Sequence, residues 1–484
     1  MTIEFTERHL QIFRDASLDC NPLHLSAGFA RQTAAGERVV YGILGVLACL
    51  GKVPAPPGKI PAAIRVDFKS TLKLGVAYTL RQKFDAAGQW KAQLLDGSAV
   101  MLRTSISFRD GDAECANLPE TGVAPLPAAR GLKAADFIPG LAFHGSYTPS
   151  RAAYLELLEL CGVDRKTWGD ALLLTLLCTS YLTGMELPGE RATYSGLRAE
   201  FSAGPLATPA DFAMTLASFQ EHFGMAQAAF SLSGRNGIFA QGEISALYTP
   251  PLSAITSCVG NGRFAGKTAL VIGASRGLGA ALSLQLAAEG CAVTGVYAQS
   301  KDAADTVAQT ARGLPGTLCM VQGDASDLAW CAQQKSQMRS LDLLVCNAAP
   351  ALQSLRVEAA YFGRIQSYLQ KGFALVAAPL SSFLELVDAS QGSVLLISSS
   401  AVERAPAEWP HYVALKGAAE GLLRAAAAAH PKVRFFAARP RKIETGLINT
   451  PMGRADAEKP EAVAGRLLTR TREQCAPGII HLCG

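Results

Sequence analysis

The sequence predicts two folds in series, an α+β half made of two copies of one module and an α/β half with a doubly wound parallel sheet. Residues 41–70 (YGILGVLACLGKVPAPPGKIPAAIRVDFKS) and 176–204 (LLCTSYLTGMELPGERATYSGLRAEFSAG) share one order: apolar helix, Pro-Gly turn, then a strand closing on Phe68 or Phe201. Beyond residue 266 the apolar runs TALVIG, CAVTGVY, LDLLVCN and GSVLLIS alternate with alanine-rich helical stretches, the pattern of βαβ units. Between the two halves, TPPLSAITSCVGNGRFAG is rich in turn formers and has no periodicity, which marks a linker.

A chain of 484 residues corresponds to about three structural units at roughly 150 residues each. The repeat places them at 1–125 and 130–250, with a linker at 251–264 and the α/β half at 265–484. A second match supports the duplication, since DGSAVMLRTSISF (96–108) parallels NGIFAQGEISALY (236–248). The run ALLLTLLCTSYL (171–182) would span only about 18 Å as a helix, short of the ~30 Å of a bilayer core, and reads as a buried core helix.

Forty-five basic and 40 acidic residues leave a net charge of +5, scattered along the chain, so nucleic acid and membrane surfaces are not expected partners. The twelve cysteines show no C-x-x-C and no His/Cys ligand spacing, so no metal site is expected and the thiols read as reduced. With charges where a signal peptide needs an apolar core, MTIEFTERHLQIF points to a cytoplasmic protein.

In the α/β half, Gly273-Ala274-Ser275-Arg276-Gly277-Leu278-Gly279 follows a strand and opens a helix, where glycines let the backbone approach a pyrophosphate at a helix N-terminus. Asn347-Ala348-Ala349 follows the strand LDLLVC. Ser399 closes the strand VLLIS, and Tyr412 and Lys416 stand 13 and 17 residues beyond it. In this order the motifs resemble the short-chain dehydrogenase/reductase family over residues 262–484 and imply a Rossmann-like fold. The resemblance assigns catalysis to Ser399, Tyr412 and Lys416. It assigns dinucleotide binding to Gly273, Ser275, Arg276, Gly277, Leu278, Gly279, Asp324, Asn347, Lys416 and Thr445, with Asp324 at the adenine.

Tyr412 and Lys416 at i, i+4 share a helix face, so the ammonium is expected to lower a phenol pKa of about 10 and make the tyrosine a usable proton donor. After the second strand, Tyr297-Ala298-Gln299-Ser300-Lys301 offers no carboxylate for a free ribose hydroxyl, and Arg276 lies in the glycine turn. That charge pattern favours a 2′-phosphate, hence NADPH. Two positions depart from the family: its catalytic Asn falls on Tyr368, with Gln370 a possible substitute, and its Pro-Gly after the next strand is Pro440-Arg441.

In the amino-terminal half, Asp19-Cys20-Asn21-Pro22-Leu23-His24 precedes the helix beginning near Gly42. Read locally this is either an Asx-Pro turn capped by Asp19 or an acid and an imidazole held together for catalysis. With Ala30 and Val39-Val40-Tyr41-Gly42 the stretch resembles the MaoC-like hotdog family of (R)-specific enoyl-thioester hydratases and dehydratases, with Leu18 and Tyr41 where that family has Gly and His. The resemblance implies a double hotdog, with Asp19 and His24 exchanging protons with a 3-hydroxyacyl thioester, Asn21 fixing the loop and a backbone N–H near Gly42 polarising the carbonyl. The second copy, ELLELCGVDRKTWGD, lacks the motif and is expected to pack as a degenerate partner that completes the acyl tunnel around a single site.

A ketoreductase makes the 3-hydroxyacyl thioester that such a dehydratase consumes. The expected function is therefore an NADPH-dependent 3-ketoacyl reductase and 3-hydroxyacyl dehydratase, acting on acyl-carrier-protein or coenzyme-A thioesters and associating as a homodimer. Two alternatives stay open: a degradative hydratase and dehydrogenase, or a dehydratase carrying a non-catalytic reductase-like platform.

Overall fold

The structure, a computed structural model, describes residues 1–118, 126–202, 209–234, 237–256, 260–472 and the backbone of 480–483. It contains two compact units, one built on Met1–Pro251 with Thr450–Met452 and one on Leu252–Asn449 with Gly453–Gly484. The expected boundary at residue 125 and part of the expected linker, 257–259, lie outside the described residues.

The first unit runs β1 (Thr2–Ile3), α1 (Glu7–Ser17), α2 (Pro22–Leu25), α3 (Ala27–Ala30), α4 (Gly42–Leu50), β2 (Lys59–Phe68), β3 (Tyr78–Phe84), β4 (Trp90–Asp96), β5 (Ala99–Asp110) and β6 (Ala142–Tyr147). It continues with α5 (Arg151–Cys161), α6 (Arg165–Trp168), α7 (Asp170–Tyr181), a π-helical turn at Leu182–Glu186, β7 (Ala192–Phe201), β8 (Ala210–Gln220), β9 (Met225–Gly234) and β10 (Gly237–Tyr248). The strands form one ten-stranded sheet in the order β1-β3-β4-β5-β2-β7-β10-β9-β8-β6. The two strands recognised by their closing phenylalanines pair with each other at its centre, Ala63–Asp67 against Gly196–Glu200, antiparallel.

Each half supplies one apolar helix to a single core. Ile43, Leu44, Val46 and Leu47 of α4 share a cluster with Leu172, Leu173, Leu176 and Leu177 of α7. Helices apolar on all sides are stable only when enclosed, and each buried leucine or isoleucine contributes about 1.5–3 kcal/mol. Pro61, which has no N–H to give the ladder, coincides with a register shift between β2 and β5.

The second unit runs β11 (Thr268–Ile272), α8 (Gly277–Ala288), β12 (Ala292–Tyr297), α9 (Lys301–Thr310), β13 (Thr317–Gln322), α10 (Leu328–Ser336), β14 (Leu343–Cys346), α11 (Phe362–Ala389) and β15 (Ser393–Ile397). Then come α12 (Ala401–Arg404), α13 (Pro410–Ala429), β16 (Arg434–Ala438), α14 (Pro451–Arg454), α15 (Pro460–Arg470) and β17 (Ile480–Cys483). All seven strands pair in parallel, in the order β13-β12-β11-β14-β15-β16-β17. Chain direction across the sheet reverses between β11 and β14, and ligands of such sheets bind at that switch point.

Alternation along each strand feeds two cores. Leu270 and Ile272 pack with helices α11 and α13, and Ala269 and Val271 with α8 and α15. Helix α11 is by length and composition the one helix among the described residues that could cross a bilayer. Its Val376, Phe383 and Val387 are instead buried in the core beside α13.

Candidate active sites

In the first unit, the turn out of α1 places Leu18 in the left-handed region, φ 58°, where its N–H caps Arg14. Glycine adopts that conformation without strain, and here a leucine holds it. Leucine is retained with its side chain packed against the core.

Asp19 follows, 2% exposed. Its Oδ1 accepts the Asn21 N–H at 3.1 Å and its Oδ2 the Ser180 hydroxyl at 2.7 Å. Burial raises its pKa to about 7, against the opposing effect of the Ser180 and Asn21 hydrogen bonds. Gly184, in the π-helical turn, adjoins the same carboxyl, and a Cβ there would lie 2.3 Å from Oδ1. Ser180 and Gly184 both come from the second half of the unit. Neither has a local signal, because the contact joins positions 161 apart.

Asn21 caps α2 by accepting the Leu23 N–H at 2.9 Å, and its Nδ2 donates to the Gly184, Gly189 and Glu190 carbonyls at 3.2, 3.0 and 3.3 Å. His24, at the end of α2, sets Nδ1 2.8 Å from the Val39 carbonyl. A carbonyl only accepts, so Nδ1 carries the hydrogen and Nε2 the lone pair. Burial lowers the imidazole pKa to about 4, with the Val39 contact opposing.

Tyr41 stands between the two groups. Its ring stacks on His24 at 3.7 Å, and its hydroxyl donates to the Asp19 carbonyl at 2.7 Å. Tyr41 therefore contacts the backbone of Asp19 and the ring of His24. Gly42 opens α4 against the Phe68 ring, which a Cβ would meet at 2.7 Å.

In the second unit the glycine turn leaves β11 with Gly273 at φ 84° and Gly277 at φ 51°. A Cβ on Gly279 would lie 2.0 Å from the Gly273 carbonyl oxygen, and Thr445 abuts Gly277. Asn347 Nδ2 donates to the Gly273 carbonyl at 2.9 Å, which ties the end of β14 to the turn across the switch point. Leu278 is buried, Ser275 half-buried and Arg276 exposed. This close-fitting turn at the N-terminus of α8 suits a pyrophosphate. Exposed Asp324 accepts from the Ser326 N–H at 2.9 Å and hydroxyl at 2.7 Å, which lowers its pKa. Lys301 is ion-paired with Asp305 at 2.6 Å.

Ser399 and Tyr412 are half-buried neighbours, and Ser399 Oγ accepts the Ala401 N–H at 3.1 Å. Lys416 is 4% exposed, donates from Nζ to the Ile397 carbonyl at 2.7 Å and lies 5.6 Å from the Tyr412 ring centre. Burial lowers its pKa to about 8, with Cys346 and Glu420 opposing. The expected lowering of the Tyr412 phenol by this ammonium gives way to the opposite effect. Burial raises the phenol, and Ser399 is the group that opposes it, while Nζ is committed to Ile397.

Tyr368 lies buried on α11, its hydroxyl donating to the Pro350 carbonyl at 3.3 Å and its ring edge-on to His411 at 4.3 Å. Gln370 cannot stand in for the missing Asn, since it is exposed and lines a surface groove with Phe362, Ile365, Gln366 and Leu369. His411, beside Tyr412, was not anticipated. It is fully buried with neither ring nitrogen hydrogen-bonded. Burial, then Arg364, lowers its pKa to about 4. Among the described residues no group of His, Cys, Asp and Glu could hold a metal.

A doubly wound sheet with a glycine turn at its switch point and a Ser-Tyr-Lys group beside it defines a dinucleotide-dependent oxidoreductase. The family model described as short chain dehydrogenase matches residues 267–461. An uncharacterized oxidoreductase of Methylorubrum extorquens is 30% identical over 228 residues, covering 41% of this chain and 88% of that protein. The 3-oxoacyl-[acyl-carrier-protein] reductase FabG of Staphylococcus aureus is 31% identical over 168 residues, covering 33% and 67%. A solved short-chain dehydrogenase/reductase from Serratia marcescens is 26% identical, covering 46% of this chain and 97% of that one, with a TM-score of 0.41. The chain belongs to the short-chain dehydrogenase/reductase family, whose members bind NAD(P).

Proposed function

We propose that the chain is a bifunctional NADPH-dependent 3-ketoacyl-thioester reductase and 3-hydroxyacyl-thioester dehydratase, its first unit a double hotdog, acting on acyl-carrier-protein or coenzyme-A substrates. The observation that carries the proposal is the packing of Tyr41 on both the His24 ring and the Asp19 backbone carbonyl, which holds an acid and an imidazole in one loop, in one chain with a reductase that would make the substrate they need. The FabG relative, named for 3-oxoacyl-carrier-protein reduction, supports the substrate class. Arg276 in the glycine turn, with no acidic residue in Tyr297–Lys301, supports the 2′-phosphate. The free thiols among the described cysteines accord with a cytoplasmic setting.

In reduction the bound dinucleotide supplies hydride. Tyr412 gives its hydroxyl proton to the substrate oxygen, and Ser399 beside it hydrogen-bonds the same oxygen. With a pKa of about 8, Lys416 is mostly ammonium at neutral pH, and in this reading its charge serves to hold the dinucleotide.

In dehydration the protonation states assign the roles. His24 is neutral at pH 7 with Nε2 as its lone-pair nitrogen, so it accepts the α-proton. Asp19, with a pKa of about 7, remains partly protonated and gives its proton to the departing hydroxyl. One C–H and one C–O bond break, a C=C bond forms and water leaves. The N–H groups of the first turn of α4, from Gly42 onward, have no partner within the helix and face the thioester carbonyl in this reading.

Two half-reactions test the proposal. NADPH oxidation with a 3-ketoacyl thioester reads the reductase, and enoyl formation from a 3-hydroxyacyl thioester reads the dehydratase. Failure of either removes that activity from the assignment.

A further inference from the structure

Helix α13 grips the end of β15 at three successive levels. Tyr412 lies beside Ser399, which favours its phenolate, Lys416 donates to the Ile397 carbonyl at 2.7 Å, and the Ser398 hydroxyl donates to Glu420 Oε1 at 2.6 Å. Residues 412, 416 and 420 are four apart and share a helix face. Two of these levels hold the reductase group. The third is a carboxylate only 1% exposed, a form that is costly to bury unless its charge is compensated.

Compensation is supplied at the end of β16. Arg439 donates from Nε to Glu420 Oε1 at 2.9 Å and from Nη2 to Oε2 at 2.5 Å, and from Nη1 to Glu403 of α12 at 2.6 Å. Arg424 reaches Oε2 at 3.4 Å. The titratable groups acting on Lys416 are Cys346 on β14 and Glu420 on its own helix, with the Tyr412 ring beside it. Glu420 is thus the negative charge nearest to the ammonium along α13, and through Ser398 it also holds the residue next to Ser399.

We propose that Glu420 is a positioning residue of the reductase: it fixes the turn carrying Ser399 by accepting from Ser398, and its charge one helical turn away holds Lys416 as an ammonium. This rests on the reading of Ser399, Tyr412 and Lys416 as the reducing group. A scaffold role alone would need the hydrogen bond and not the charge.

Glu420→Gln separates the two, because its amide oxygen can still accept from Ser398 while the charge is gone. Removing a negative charge disfavours the ammonium, so Lys416 loses its proton at lower pH. The alkaline limb of kcat/KM for ketone reduction should shift to lower pH by about one unit, a tenfold change in the ammonium:amine ratio, with KM for the ketone little changed. Glu420→Asp, which keeps the charge but shortens the reach, should lower kcat and leave the limb in place.

A second readout does not depend on turnover. Competitive acetylation of the full-length protein against pH, read by mass spectrometry at Lys416, should give a lower midpoint in Glu420→Gln than in wild type or Glu420→Asp. If Glu420→Gln unfolds, the double variant Glu420→Gln/Arg439→Met, which removes both charges of the pair, is compared with wild type and should also show the lower midpoint. An unmoved Lys416 midpoint in the folded variants overturns the proposal. A wild type that reduces no ketone with NADPH overturns the reductase reading instead, and leaves the acetylation comparison to decide on Glu420.

Discussion

Ser180 donates its hydroxyl hydrogen to the Asp19 carboxylate at 2.7 Å, from the far end of the helix that the second copy contributes to the core. The loop carrying Asp19 is therefore completed by a residue from the second half of the same unit. Burial and this bond act in opposite directions on Asp19, and burial dominates. Dehydration should be bell-shaped in pH, rising as His24 loses its proton near pH 4 and falling as Asp19 ionises near pH 7. Ser180→Ala removes a bond that favours the carboxylate, so the upper limb should move to higher pH. A pH–rate series on a 3-hydroxyacyl thioester checks both limbs.

Gly184 has no room for a side chain beside Asp19. In Gly184→Ala the carboxyl must move, and displacement of a reacting group by ~1 Å costs on the order of 10²-fold in rate. Dehydration should fall by that factor, and NADPH oxidation with a 3-ketoacyl thioester should match wild type.

Tyr412→Phe deletes the proton donor of the reductase and leaves the first unit intact. Reduction should fall by roughly 10² or more with enoyl formation from the 3-hydroxyacyl thioester retained. Gly279→Ala should reach the same kinetic outcome by another route. Its Cβ would lie 2.0 Å from the Gly273 oxygen, so dinucleotide binding, read by calorimetry, should be lost, whereas Tyr412→Phe should retain it.

His411 is neutral and buried in the folded chain, with a pKa of about 4 against the ordinary 6.5. The unfolded chain takes up a proton below pH 6.5 and the folded one does not, so this group removes stability as pH falls from 6.5 towards 4. His411→Phe should flatten that loss. It also removes two unpaired buried nitrogens, so at pH 7 it should raise stability by about 1 kcal/mol. Chemical denaturation at several pH values measures both effects.

Spacing along the chain revealed whatever depends on local periodicity. The i, i+4 pair Tyr412 and Lys416, the Gly273–Gly279 turn and the strands closing on Phe68 and Phe201 all follow from one helix face, one tight turn or one alternating strand. Ser180 against Asp19, and Glu420 against Ser398 and Arg439, are products of packing between elements far apart in sequence, and nothing local announces them. Leu18 and Tyr41 were visible as departures, but their meaning needed the positive φ of one and the stacked ring of the other. Gln370 shows the converse: near in sequence to Tyr368, it lies on the opposite, exposed side of its helix.

The central claim is that one chain carries a ketone through the alcohol to the alkene. The most direct measurement is mass spectrometry of the products formed from a 3-ketoacyl thioester and NADPH by the full-length protein. The enoyl thioester should appear with wild type, the 3-hydroxyacyl thioester should accumulate with His24→Ala, and the ketone should persist with Tyr412→Phe. A wild-type chain that stops at the 3-hydroxyacyl thioester, or leaves the ketone unchanged, would contradict the account.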